Sequence, residues 1–133
     1  MMEVIIEFDI PDEIMTLNKL PGTRWAAKKH RARKNEWLNA AYYAAVAALP
    51  GGPSKRRMGP CEVWVSLPVW GQRTRDPGNF TLTTKPIVDA LVLAGVFPDD
   101  GPEWVDEKPV AFRVIKNREE AMKGKVIVRL VER

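Results

Sequence analysis

CEVWVSLPVW, residues 61–70, sends its side chains alternately to two sides. Val63, Val65 and Leu67 fall on one, and Trp64 and Ser66 on the other, which predicts a strand with one buried face. A polar segment, GQRTRDPGN (71–79), follows as a turn. TTKPIVDALVLAGVF (83–97) then predicts a helix, with Pro86 in its first turn, where a missing N–H costs nothing, and Gly95 as its stop. A strand feeding such a helix predicts helices packed on a sheet.

Outward from this unit, Met2–Ile10 is rich in β-branched residues and ends at Pro11, which predicts a strand. Residues 11–23 are turn-rich. From Thr23 to Leu49 the pattern is helical, with Leu38, Ala41, Tyr42, Ala45, Val46 and Leu49 on one apolar stripe. Traced backwards, that face meets Lys34, Arg31 and Ala27. PGGPSKRRMGP (50–60) reads as a loop. Two further strands are expected at Lys108–Lys116 and Lys125–Glu132. The resulting fold class is α/β (α+β): a single domain with a mixed β-sheet and two main helices, in the order β-α-β-α-β-β.

With 133 residues and 45% hydrophobic content, the chain is long enough to bury a real core, which excludes disorder as a whole. Its apolar runs fall short of a membrane span, so a soluble protein is expected. The start, MMEVIIEFDIPDE, carries acids where a secretory signal needs basic residues. The lone Cys61 fits a reducing, cytoplasmic setting. One histidine and one cysteine rule out a zinc site built from those residues in one chain.

The net charge of +4 is unevenly distributed. Lys19, Arg24, Lys28, Lys29, Arg31, Arg33 and Lys34 form one basic run, and Lys55, Arg56, Arg57, Arg73 and Arg75 a second group. The acids concentrate at Asp99, Asp100, Glu103, Asp106 and Glu107. Taken alone, each basic run is equally well a solvated surface. A basic surface with a separate acidic focus is also the layout of a metal-dependent nucleic-acid enzyme.

Within 75–100 the acids stand at instructive places. Asp89 interrupts the apolar run Ile87–Ala94, where an ionised carboxylate needs a partner or a metal. Lys85 precedes it by four residues, the spacing of an ordinary helical ion pair. Asp99 and Asp100 lie in a Pro-Asp-Asp-Gly-Pro turn, and Asp76 precedes Pro77 in another; each alone has an ordinary turn-capping reading. Together, three acidic loci flank one helix. Clustered carboxylates need compensating charge. Magnesium, bound by carboxylates and substrate phosphates, supplies it and suits phosphodiester cleavage.

These residues carry a resemblance. Arg75-Asp76-Pro77-x-Asn79, then Lys85-x-x-x-Asp89-x-Leu91, Ala94-Gly95 and Asp99-Asp100 resemble the RusA-type Holliday junction resolvases, phage and prophage members included. The likeness continues through Phe112–Lys116 and, in outline only, through the N-terminal third, with Asn18 in a loop. It implies one endonuclease domain over residues 1–133, acting as a homodimer that makes paired nicks in four-way DNA junctions with magnesium, or manganese in its place. It implies metal ligation by Asp76 and Asp100 and a catalytic Lys85. Two departures stand out: the motif's second Asp is here Gly78, and, compared with the shortest members, three extra residues separate Asn79 from Lys85. Asp89 or Asp99 could complete the metal set, and the sequence leaves open which. On this reading Asp99 also assists catalysis. Asn79, Arg73, Arg75, Lys28, Lys29, Arg31, Arg33 and Lys34 contact DNA. The chain acts in the cytoplasm of a bacterium or phage-infected host. Trp64, Trp70 and Trp104 are candidates for a dimer surface or for core packing. The rival readings are a non-catalytic branched-DNA-binding protein and an RNA-binding or protein-interaction domain.

Overall fold

The computed structural model of the chain describes residues 2–11, 14, 24–49, 51, 57–71 and 74–133, with side chains from Lys28 onward in the first helix. In chain order the elements are β1 (Glu3–Asp9), α1 (Arg24–Ala48), β2 (Cys61–Trp70), a 3-10 turn (Pro77–Phe80), α2 (Thr81–Leu93), β3 (Val105–Glu107), β4 (Ala111–Ile115), α3 (Arg118–Met122) and β5 (Lys125–Glu132).

β2 organises the mixed sheet. One of its edges pairs antiparallel with β5, from Cys61↔Glu132 to Ser66↔Ile127. The other edge is shared by two parallel neighbours: β3 over Cys61–Val63 and β4 over Ser66–Trp70. β1 extends the sheet beyond β5. The expected alternation of β2 holds: Val63, Val65 and Leu67 are buried, and Trp64 and Ser66 are half-buried. Ile6 and Phe8 of β1 and Val126, Val128 and Leu130 of β5 join them in one core with residues of α1 and α2.

The mixed sheet and the two main helices agree with the expected class, with four local differences. The deepest row of α1 is Trp37, Ala41, Ala45 and Leu49, spaced by four; Leu38, Tyr42 and Val46 flank it half-buried. Trp37 meets Phe8 edge-on, with ring centres 6.0 Å apart. α2 begins at Thr81 because the 3-10 turn pre-winds the chain, so Pro86 lies inside the helix and deprives the Leu82 carbonyl of its helical donor. Leu93, at the end of α2, is exposed, so the helix is not buried all round. The strand expected from Lys108 starts only at Ala111, since Pro109 has no N–H for the ladder, whereas the Lys108 N–H still bonds to the Val63 carbonyl at 3.0 Å. Short β3 and α3 are additions to the expected order. α3 starts at Asn117, whose side chain accepts the Glu120 N–H at 2.9 Å.

Gly95 ends the helical region as expected, at φ +84°, a conformation that disfavours a side chain. The 11–23 and 50–60 loops lie largely outside the described residues. Met58, within the second, is buried, and its N–H bonds to the Val96 carbonyl at 2.9 Å. No helix among the described residues is long and apolar enough to cross a membrane.

Candidate active site

β2, α2 and β3 form a strand–helix–strand crossover, and the loop leaving β2 carries Asp76. Its Oδ1 accepts the Gly78 N–H at 3.0 Å, and its carbonyl accepts the Asn79 N–H at 3.0 Å. This Asx cap starts the 3-10 turn and fixes the carboxyl at its mouth. Asn79 is half-buried within the turn.

On the facing side, β3 ends at Glu107, and β4 does not resume pairing with β2 until Ser66. Between them the chain detours through Lys108–Val110. The detour leaves an open cleft of about 450 Å³. Val63 and Val65 line it; Asp76, Gly78 and Thr84 come from the loop and helix, and Glu107 and Lys108 from the end of β3. Pro109 thus both interrupts the strand and opens the site.

Lys85 follows Thr84. Its Nζ lies 3.5 Å from Asp89 Oδ1 and 3.5 Å from Asp100 Oδ2. The ammonium pKa is raised above its ordinary 10.5, chiefly by Asp89, against partial desolvation, with Asp100 adding to the rise. The expected helical pair is therefore present, and the loop after α2 brings a second acid to the same lysine. Asp89 is partly open to water, at 29% side-chain exposure, so its charge is less desolvated than the apolar sequence around it suggests.

Glu107 belongs to this group electrostatically. Its carboxyl is raised above the ordinary 4.5 by desolvation against the cleft walls; Lys85 opposes the rise, and Asp100 and Asp89 add to it. The sequence counts Glu107 in the acidic stretch but gives it no role. A short extended stretch, Val105-Asp106-Glu107, halted by Pro109 was the signal available.

Other expected site residues make contacts of their own. Asp99 Oδ1 accepts the Gly101 N–H at 2.7 Å, the turn-capping arrangement, so of the two adjacent acids Asp100 is the one that reaches Lys85. Arg75 folds back to donate to the carbonyls of Trp70 and Gly71. Lys28, Lys29 and Arg31 are exposed on α1, and Arg33 and Lys34 are half-buried. Arg73 lies outside the described residues. Of the three tryptophans, Trp64 is half-buried beneath Arg129, 5.5 Å from its ring centre; Trp104 is half-buried against the core; and Trp70 is exposed.

The donors around the cleft are carboxylate oxygens, hard ligands suited to magnesium rather than to a soft metal. Among the described residues, no three acidic, histidine or cysteine side chains converge on one point as they stand. The Lys85 ammonium is the cation between Asp89 and Asp100. Compared with protein-family models and with curated proteins, the chain matches none.

Proposed function

We infer that the protein is a magnesium-dependent, structure-selective DNA endonuclease that resolves four-way junctions by paired nicks. The observation that carries this reading is Lys85, shared by Asp89 and Asp100, next to a cleft that Asp76 and Glu107 both line. The resemblance of the Arg75–Asp100 series to RusA-type resolvases supplies the substrate class.

Asp76 and Asp100 would hold magnesium, with Asp89 and Glu107 completing or orienting the set. When bound, the metal supplies Lewis-acid polarisation of a phosphoryl oxygen and a water acidic enough to attack near neutral pH. Lys85 faces the scissile phosphate and stabilises the negative charge that builds on it. Asn79 positions a ligand or substrate oxygen from within the 3-10 turn. The cations of α1 and Arg75 guide DNA arms through phosphate contacts, which read shape and backbone more than sequence. Paired nicks call for two sites related by a two-fold axis, hence a homodimer. The buried, lone Cys61 accords with work in a reducing cytoplasm.

One observation favours a second reading. Lys85 already counters part of the charge of Asp89 and Asp100, so the pair depends less on a metal, as in a protein that binds branched DNA without cutting it. Incubation with an end-labelled mobile junction, with and without magnesium, separates the two: magnesium-dependent nicks support the enzyme, and binding without nicks supports the binding protein.

A further inference from the structure

Trp70 ends β2 with 38% of its surface open to solvent. Arg118 Cζ lies 5.6 Å from the centre of its indole ring, the geometry of a cation–π contact. Lys116 follows directly after Ile115, the β4 partner of Trp70. Arg75 adds a third cation, since it donates to the Trp70 carbonyl. Neither Lys116 nor Arg118 has an acidic ion-pair partner among the described residues; in α3, Glu119 is held by Lys123 at 3.5 Å. Asp76, which lines the cleft, comes one residue after Arg75 in the chain.

The Trp70–Arg118 contact is not required to hold α3 on the sheet. Ala121 is fully buried, and the turn after α3 packs so closely that a Cβ on Gly124 would come within 2.8 Å of Pro68 Cβ. An indole backed by a guanidinium, with further cations beside it, matches how proteins receive unpaired bases: the flat groups stack on the base and the charges take the flanking phosphates.

We propose that the Trp70–Arg118 pair is a stacking site for an unpaired DNA base at the branch point of the substrate. The proposal rests on the reading of the chain as a protein of branched DNA, and specifies where the unpaired base goes.

The test uses the full chain and DNA carrying 2-aminopurine, either at the centre of a four-way junction or within a single strand. The parent is expected to quench the probe. Trp70→Ala and Arg118→Ala should lose the quench and bind the junction about ten-fold more weakly, while Trp70→Phe keeps both. Circular dichroism melting checks that the exposed substitutions leave the fold intact. If the parent binds the junction and Trp70→Ala binds and quenches equally well, the stacking site is wrong and the endonuclease reading stands. If quenching depends on Trp70 but magnesium never yields a nick, the stacking site stands and the endonuclease reading fails. If the parent binds neither DNA, both fail.

Discussion

Lys85 Nζ lies 3.5 Å from Asp100 Oδ2, across a separation of 15 residues. That contact ties the second turn of α2 to the loop that follows it, and with Asp89 it places two carboxylates on one ammonium. The pairs are exposed, and each stabilises the fold by at most about 1 kcal/mol. Their value lies in placement: a cation and two acids are gathered beside a cleft that already holds Asp76 and Glu107.

Asp76 has two separable roles. Asp76→Ala removes the cap of the 3-10 turn and should cost about 1 kcal/mol in urea denaturation. Asp76→Asn keeps a side-chain oxygen for the Gly78 N–H, so stability should stay near the parent's while magnesium-dependent cleavage is lost. Full cleavage by a stably folded Asp76→Asn protein would remove Asp76 from the site.

The raised carboxyl of Glu107 gives a pH signature. The folded state holds this proton more tightly than the unfolded state, so ionisation destabilises the fold as pH rises through and above the ordinary value of 4.5. Glu107→Gln should therefore melt at a slightly higher temperature than the parent at pH 7, and the difference should vanish below the carboxylate range. The gain is modest because the side chain retains access to water. Added magnesium should reverse the order, stabilising the parent more than the variant. Thermal melts at two pH values, with and without magnesium, measure both effects.

Much of this architecture could be read locally, and its failures are also local. β2 over residues 61–67 and β5 over residues 125–130 alternate buried with less buried residues, and a period of two survives tertiary context. Trp37 does not stand out locally, because alanines fill α1 and blur the boundary between its buried row and the flanking one. β3 has three residues, and its partners lie more than forty positions away, so local pattern gives it no weight. α3 had a usable signal in Asn117 followed by Glu120. At the site, Lys85 and Asp89 are visible by helical spacing alone. The Lys85–Asp100 contact depends on how the loop turns after Gly95, and the place of Glu107 depends on Pro109 parting β3 from β4. Neither follows from spacing.

Trp37 is the largest fully buried side chain among the described residues. Trp37→Ala should cost about 3–5 kcal/mol, through lost burial and the cavity left beside Phe8. Chemical denaturation followed by circular dichroism measures it. A loss under about 1 kcal/mol would contradict the packing of α1 on β1.

Cys61 is fully buried, its Sγ–H donates to the Gly59 carbonyl at 3.2 Å, and burial, aided by Glu132, pushes its thiol up to about 11. The thiolate needed for reaction is therefore scarce. A disulfide-exchange reagent at pH 8 should label Cys61 at the rate of unfolding, and rapidly in denaturant. Immediate labelling of the native protein would place the thiol outside the core.

The most direct measurement compares Asp100→Asn with its neighbour Asp99→Asn on an end-labelled mobile four-way junction. The parent should make symmetric paired nicks only with magnesium or manganese. Asp99→Asn, which retains an oxygen for the Gly101 N–H, should cut within a few-fold of the parent, while Asp100→Asn should bind the junction and not cut it. No nicking by the parent with either metal, or undiminished nicking by Asp100→Asn, would contradict the assignment of this cleft as the site of phosphodiester cleavage.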